Sequence, residues 1–280
     1  MSKKALCIGI NNYPGTHMDL SGCVNDANDW AAELTARGFA VTKLLDEQAT
    51  KAAMLDGFKS VIGSAVKDDV VVISFSGHGT YVPDTNGDEI DGLDEALCPY
   101  DIQTNGAALT DDEIHAIFAS RKPGVRLVLL ADSCHSGTVT RAAAPDPEAD
   151  DVPRPRFMPI GNWMAPEQLP KGASGKPLAS VPVSAPSSAF TGALSRTSGD
   201  LLLSGCKEGP NNFSYDARIK NRPNGAFTYY ALKTLASLKP DATYAEWQAA
   251  INPVYLPSVQ YPQSPQIVGS AQARRRKLFT

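Results

Sequence analysis

The stretch that decides the fold reads Val70-Val71-Val72-Ile73-Ser74-Phe75-Ser76-Gly77-His78-Gly79. Its first six residues form a nearly continuous apolar run, rich in β-branched side chains and followed by Ser76 and Gly77. Such a run is typical of a strand that is buried on both faces of a parallel sheet. Residues 5–10, 39–45 and 126–130 have the same composition. The four runs predict an α/β protein with a mostly parallel sheet.

Segments of helical period separate these runs. The first contains an apolar stripe at spacings of three and four, which predicts an amphipathic helix between the first two strands. This stripe consists of Cys23, Ala27, Trp30 and Leu34. A second stripe follows Thr50, a favourable N-cap residue. Thr110 and Glu113 have the spacing of a capping box, so a third helix is expected to run from there through Ala119.

Proline density changes in the middle of the chain, where ten of the 21 prolines fall between residues 145 and 186. No packed element is expected at that density, which indicates a mobile linker or a large surface excursion. Regular patterns resume as a strand at 201–204, a helix at 226–238, a helix capped by Thr243 and Glu246, and a strand at 266–269. We therefore expect one domain in two parts, 1–140 and 199–280, joined by a linker at 141–198.

Composition argues against several classes of function. A formal net charge of −4 and a pI near 5.6 give no electrostatic reason to expect nucleic acid or an anionic membrane as partner. The first apolar stretch is too short for a signal peptide, and nothing approaches the roughly 18 apolar residues of a membrane span. Five cysteines without a CxxC pair fit a reducing compartment. We expect a cytoplasmic monomer.

Two of the predicted strands end in loops with reactive side chains. One leads into His78 and the other into Cys134. If the strands are neighbours, both residues lie in the crevice at the carboxyl ends of the sheet, where ligands bind. A cysteine attacks as thiolate, so it needs a base nearby, and an imidazole also protonates a departing amine. The backbone N–H groups of Gly79 and Cys134 are candidate oxyanion donors. A structural buried thiol is the alternative for Cys134.

These motifs resemble those of a known family. The strings SFSGHG at 74–79 and DSCHSG at 132–137 are similar to the paired histidine and cysteine motifs of metacaspases. The strings CIGINNYPG at 7–15, GCVNDA at 22–27 and LSGCK at 203–207 extend the resemblance. It implies a caspase-like sandwich with helices on both faces of the sheet, a thiol endopeptidase mechanism, and cleavage after Arg or Lys. No prodomain precedes the first strand, so recruitment by an N-terminal module is not expected.

The resemblance also implies which residues bind the substrate. The acidic specificity residues of the family map onto Asp26 and Asp132, and further substrate-binding positions map onto Ser76 and Ser204. Alternation in extended chain agrees, because Asp132 shares a face with Cys134. Carboxylates there bind a guanidinium as a fork and an ammonium as a point charge. For Asp26 the alternative is a carboxylate that interacts with a helix dipole.

An acidic stretch at 84–95 raises the question of calcium. It nearly follows EF-hand spacing, but Glu89 stands where the sharp turn needs glycine. The resemblance instead implies calcium as an activator, held by Asp94, Asp111 and Asp112, although Arg141 replaces a further acidic residue of the family. The chemistry itself requires no cofactor, and a solvated acidic loop is the alternative.

Other functions remain open from the sequence. One is a catalytically idle caspase-fold scaffold, another is a metal protein or non-proteolytic enzyme that uses Cys134 and His78, and a third is a clostripain-like peptidase. If the chain is a peptidase, the proline-rich segment offers basic residues for self-processing. These residues are Arg141, Arg154, Arg156, Lys171, Lys176 and Arg196.

Overall fold

The computed structural model describes residues 1–84, 93–104, 108–134, 152–169, 200–207 and 212–280. The first seven strands in chain order are β1 (Lys3–Gly9), β2 (Ala40–Leu45), β3 (Val70–Ser76), β4 (Gly79–Pro83), β5 (Leu93–Leu97), β6 (Leu109–Thr110) and β7 (Arg126–Asp132). The others are β8 (Arg154–Pro155), β9 (Leu201–Ser204), β10 (Tyr215–Ile219), β11 (Arg222–Gly225) and β12 (Gln266–Val268). The helices are α1 (Cys23–Ala36), α2 (Lys51–Gly63), α3 (Asp111–Ala119), α4 (Ala226–Leu235), α5 (Tyr244–Ile251) and α6 (Ala271–Arg274).

Six strands form the central sheet in the order β12-β9-β7-β3-β1-β2. All neighbouring pairs are parallel except β12 with β9, so the predicted mostly parallel sheet is confirmed. β3 and β7 are neighbours in register, with Ser76 opposite Asp132 at their carboxyl ends. Because the two strands end level with each other, the loops that carry His78 and Cys134 start side by side.

Strand residues alternate between two apolar cores, one on each face of the sheet. Leu6 and Ile8 of β1 pack in the core that contains α2 and α3. Ala5 and Cys7 pack in the opposite core with α1, α4 and α5. This alternation is the period of two that extended chain imposes. The expected helices on both faces are therefore present, as in a caspase-like sandwich.

The predicted helix starts are confirmed at three positions. Thr50 accepts a hydrogen bond from the N–H of Ala53 at the start of α2. Thr110 with Glu113, and Thr243 with Glu246, form capping boxes in which each side chain bonds the backbone of the other residue. No helix within the described ranges is long and apolar enough to cross a bilayer.

The expectation of an unpacked segment at 145–186 is wrong for residues 152–169. This part contains β8 and a short 3₁₀ turn, and its large side chains are buried in the same core as α2 and α3. They are Phe157, Met158, Ile160 and Trp163. Proline is tolerated here because Pro155 lies in a two-residue edge strand and Pro159 directly precedes the turn. The remainder of the proline-rich stretch lies outside the described residues, so the domain boundaries stay predictions.

Two small sheets flank the carboxyl end of the central sheet. One is antiparallel with the order β4-β5-β6, and the other has the order β11-β10-β8. The strand candidates from the sequence include neither sheet. They matter for function because β4 begins one residue after His78, and β10 lies beside β8.

Candidate active site

The histidine is held by backbone and ring contacts from the loop after β1. His78 is buried, its N–H donates to the Tyr13 hydroxyl at 2.9 Å, and the two rings are 5.0 Å apart. Its Nε2 lies 2.7 Å from the carbonyl oxygen of Met18. A carbonyl oxygen only accepts, so Nε2 carries a proton and the neutral ring leaves Nδ1 as its acceptor. Nδ1 is buried with no hydrogen-bond partner among the described residues.

Two backbone N–H groups converge on a single carbonyl oxygen. The N–H of Gly79 donates to the carbonyl of Arg156 at 3.0 Å, and the N–H of Cys134 donates to the same oxygen at 3.1 Å. These are the two donors that the sequence singled out for an oxyanion. The carbonyl between them belongs to the chain itself, in the segment expected to be a linker.

The side chain of Arg156 occupies a pocket lined by three carboxylates. Its guanidinium nitrogens lie 2.7 Å from Asp26, 2.9 Å from Asp216 and 3.2 Å from Asp132. One nitrogen also donates to the Ser76 hydroxyl at 3.3 Å. Arg156 has 0% exposure. The structure thus brings Asp26, Asp132 and Ser76 together around one buried cation.

The carboxylates are held in place by groups from the C-terminal part of the chain. Asp26 accepts from the N–H of Gly225 at 3.0 Å. Asp132 accepts from the N–H of Thr228 at 2.9 Å, from its hydroxyl at 2.7 Å, and from the Ser214 hydroxyl. A carboxylate that accepts several hydrogen bonds loses little further freedom when a cation binds, so the pocket is preorganised.

The main chain around Arg156 is bound as an extended strand. The N–H of Arg156 donates to the carbonyl of Ser214 at 2.8 Å, and β8 pairs antiparallel with β10 just before it. Beyond it, the N–H of Met158 donates to the carbonyl of Gly79 at 2.9 Å. The peptide bond between Arg156 and Phe157 therefore crosses the site between two bound stretches of backbone.

Comparison with known proteins identifies the family. A family model described as "Metacaspase, peptidase C14 domain" matches residues 3–143. Metacaspase-1 of Meyerozyma guilliermondii is 31% identical over 96% of this chain and 69% of that protein. The chain belongs to the metacaspase family. Metacaspase-1A of Neurospora crassa is 32% identical over 96% of this chain, and Metacaspase-1 of Kluyveromyces lactis is 42% identical over 49% of it. The matched regions span 63% and 34% of those two proteins.

Two solved structures resemble this metacaspase along nearly its whole length. A crystal structure of a Geobacter sulfurreducens protein has a TM-score of 0.70 and 30% identity, covering 100% of this chain and 99% of the other. Caspase-1 from Spodoptera frugiperda has a TM-score of 0.55 at 13% identity, covering 95% and 86% of the two chains. The second likeness supports the fold alone, and the predicted caspase-like fold is confirmed.

In this conformation of the metacaspase, burial disfavours the charged forms of both the thiol and the imidazole. Burial raises the pKa of Cys134 well above its ordinary value, and contact with the Cys206 thiol raises it further. Burial lowers the pKa of His78 to about 4, although the Met18 carbonyl favours the protonated ring. The N–H of Ser214 donates to the sulfur of Cys134 at 2.6 Å. Burial by the bound segment therefore disfavours the thiolate and the imidazolium alike.

Burial has the largest effect on Asp26 as well. It raises the pKa of this carboxyl to about 7, while the Arg156 guanidinium lowers it. For Arg156, burial favours loss of the proton, but Asp132 and the other carboxylates outweigh it and raise its pKa. The cation and the carboxylates therefore depend on each other, because each offsets the cost of burying the other.

Other predicted site residues have different surroundings. The Ser204 hydroxyl donates to the carbonyl of Cys206 at 2.7 Å instead of contacting Arg156. Asp94 lies on β5, and Asp111 and Asp112 begin α3. Within the described residues, no group of three acidic, histidine or cysteine side chains is arranged to hold a metal ion. Most of the acidic stretch at 84–95 lies outside those residues, so calcium binding stays a prediction.

The sequence did not identify Asp216 as a pocket residue. This carboxylate also accepts from the N–H groups of Ser21 and Gly22, at 2.8 and 2.9 Å, so it anchors the start of α1. The available signal was the alternation of apolar and polar residues at 215–219, which is typical of a half-buried strand. Arg156 was one of six basic residues in the proline-rich segment and had no distinguishing feature beyond that.

Proposed function

We propose that this metacaspase is a cysteine endopeptidase that cleaves after arginine or lysine, with Cys134 as nucleophile and His78 as its acid and base. One observation carries the proposal: the buried Arg156 has its guanidinium among carboxylates and its carbonyl oxygen on two N–H donors. That is the arrangement a substrate residue needs immediately before the bond to be cut.

The residues divide the chemistry as follows. His78 takes the thiol proton of Cys134, and the thiolate attacks the carbonyl carbon of the substrate. The negative charge that develops on the carbonyl oxygen is stabilised by the N–H groups of Gly79 and Cys134. His78 then gives the proton to the departing amine, and a water molecule, deprotonated by the same imidazole, hydrolyses the thioester. The carbonyl of Met18 orients the ring throughout.

Charge in the pocket sets the specificity. Three carboxylates surround the position of the guanidinium, so an aspartate substrate would bring a fourth negative charge into a buried site. Arginine satisfies them with a planar fork, and lysine with a single point charge. We therefore expect Arg substrates to be cleaved fastest, Lys substrates more slowly, and Asp substrates negligibly.

A fluorogenic peptide panel with Arg, Lys or Asp before the reporter tests the activity. Cys134→Ala and His78→Ala are expected to abolish turnover. Cys7→Ala provides a matched control, because Cys7 is also a buried thiol but lies within β1 of the central sheet. Wild-type turnover by Cys134→Ala, or faster cleavage after Asp than after Arg, would refute the proposal.

Self-processing forms part of the same proposal, and the bond after Arg156 is its site. Arg156 is already bound as a substrate residue, whereas Arg154, two residues earlier, donates to the carbonyl of Asp19 at 3.3 Å. The other four basic residues proposed from the sequence lie outside the described residues. Mass spectrometry of the incubated chain should find a new N-terminus at Phe157 in wild type and in Arg154→Ala, but not in Arg156→Ala. Processing that persists unchanged in Arg156→Ala would contradict this assignment.

The remaining expectations accompany this function as proposals. The five cysteines are all buried free thiols, which supports a reducing cytoplasm. Action as a monomer on protein substrates belongs to the same proposal. Calcium activation is tested by repeating the peptide panel with calcium and with a chelator. Equal rates in both conditions would exclude calcium as an activator.

A further inference from the structure

The chain beyond Arg156 remains tightly bound after it has crossed the site. Phe157, Met158, Ile160 and Trp163 are at most 4% exposed. Substrate residues that follow the cut bond often extend into solvent, so burial of this extent requires an explanation. Several of the contacts in this segment come from β4, the strand that begins immediately after His78.

β4 contacts this segment through both backbone and side chains. Gly79 pairs with Phe157 as a parallel bridge, and the Gly79 carbonyl accepts from the N–H of Met158 at 2.9 Å. The ring of Tyr81 stacks on Phe157 with centroids 5.8 Å apart and planes 24° apart. The indole N–H of Trp163 donates to the Thr80 hydroxyl at 3.3 Å. Backbone pairing fixes the register, and the Tyr81 ring contacts the first residue after the bond.

We propose that β4 forms a subsite for the leaving side of the substrate, and that it selects a large apolar residue, preferably aromatic, directly after the cut. This inference rests on the proposed peptidase function and adds a second specificity determinant to it. The subsite lies on the side opposite the carboxylate pocket and differs from it in chemistry. Tyr81 supplies an aromatic face there, and Leu93, Ala96 and Leu97 of β5 pack in the same core.

The magnitude follows from apolar burial. Burying a phenylalanine side chain that would otherwise be exposed is worth about 1.5–3 kcal/mol, which corresponds to about 10- to 150-fold in kcat/KM. A charged residue in the same position would lose hydration without gaining a partner. Aspartate is therefore expected to be the poorest residue after the cut, and phenylalanine among the best.

Internally quenched peptides test the inference with the full-length wild-type chain. The peptides share Arg-Pro-Arg before the bond and carry Phe, Leu, Ser or Asp directly after it. A separate Arg-coumarin substrate, which has no residue after the cut bond, reports the basal activity. We expect kcat/KM for the Phe peptide to exceed that for the Asp peptide by at least about tenfold. Equal rates with normal hydrolysis of the reporter would overturn this inference alone. Absence of reporter hydrolysis would overturn the proposed function, and the inference with it.

Substitution of Tyr81 assigns the preference to β4. Tyr81→Ala should bring the ratio of Phe to Asp rates close to one, whereas Tyr81→Phe should keep it, because the ring and not the hydroxyl makes the stacking contact. Tyr229→Ala, on α4, controls for removal of a tyrosine ring elsewhere. A ratio that stays high in folded Tyr81→Ala protein would contradict the assignment, and the wild-type panel decides the preference even if that variant fails to fold.

Discussion

Asp216 contributes the third carboxylate to the arginine pocket, and its importance can be measured. Asp216→Asn keeps the shape of the side chain but removes its charge, so a buried guanidinium loses one of its partners. Breaking such a pair costs about 2 kcal/mol at the low end, and we therefore expect kcat/KM for Arg substrates to fall about 30-fold.

Asp29→Asn is the matched control for this prediction. Asp29 pairs with Arg222 at 2.5 Å, but the two side chains are 32% and 47% exposed. Exposed ion pairs contribute little, so we expect a change of less than about fivefold. Similar losses in both variants would mean that Asp216 acts through overall charge or stability and not through contact with the substrate.

The titration of His78 reports whether the bound segment at 152–169 excludes water from the site. Its pKa is lowered by burial to about 4, compared with about 6.5 for an unperturbed ring. In intact Cys134→Ala protein, the His78 NMR signals should therefore not shift between about pH 5.5 and 8. The exposed His17 provides a second histidine signal for comparison. A His78 midpoint near 6.5 would show that the site is hydrated while the segment is bound.

The same burial affects stability in a defined direction. The unfolded chain takes up this proton near pH 6.5 and the folded chain only near 4. Above about pH 6.5, His78 is neutral in both the folded and the unfolded chain, so its burial costs no protonation energy. As the pH falls from about 6.5 to about 4, only the unfolded chain gains the proton, and the folded state loses stability. His78→Gln removes this titrating group. Between pH 7 and 5, the free energy of unfolding measured in urea should therefore fall less for this variant than for the protein that keeps His78.

Among the elements, the capping boxes combine clear sequence signals with specific contacts. Thr243 accepts from the N–H of Glu246 at 3.2 Å and donates to its carboxylate at 2.8 Å. The helix that follows places Trp247 in the core, where its indole N–H donates to the carbonyl of Ala231 at 3.0 Å. In a Cys134→Ala background, we expect Thr243→Ala to lower the free energy of unfolding by about 1 kcal/mol. Thr243→Ser keeps the hydroxyl and should retain most of the wild-type stability. Equal losses of stability in both variants would indicate that packing of the threonine methyl group matters more than the cap.

The elements also show what could be predicted from the sequence. Buried parallel strands and capped helices were predicted well, because their signals are local: a continuous apolar run, or a threonine three residues before a glutamate. The hairpin of β10 and β11 was missed although residues 215–219 alternate, because its two strands have only five and four residues and the Lys220-Asn221 turn contains no glycine. Asp216 pairs with Arg156 and Arg222 with Asp29, contacts distant in the chain that no local pattern records.

The segment at 152–169 was misinterpreted for a related reason. Its prolines argue against helices and central strands, but they permit an edge strand that pairs with β10 only where the fold brings the two together. Within the proposed site, His78, Cys134, Asp26 and Asp132 were predicted from motifs. Arg156 was not singled out, because only the folded structure shows that its side chain contacts Asp26 and Asp132.

At the scale of the whole molecule, the proposed cleavage after Arg156 would divide the chain without dividing the fold. β9, from the C-terminal part, pairs with β7 in the central sheet, and β12 pairs with β9. The rings of Trp30 and Trp247 also meet across the two parts, 6.0 Å apart. We expect the processed protein to elute from a sizing column together with intact Cys134→Ala protein, and to separate into two bands only under denaturing conditions. Separate elution in native buffer would contradict this interpretation of the sheet.

The pocket itself is assembled from both parts of the chain. Asp26 and Asp132 precede the bond after Arg156, whereas Asp216 and the groups that hold the other carboxylates, Gly225 and Thr228, follow it. Neither part alone contains a complete guanidinium site. The proposed peptidase would therefore behave as a split enzyme: each separately expressed piece is expected to be inactive on an arginine reporter, and mixing the two pieces, which lets the shared sheet form, is expected to restore cleavage.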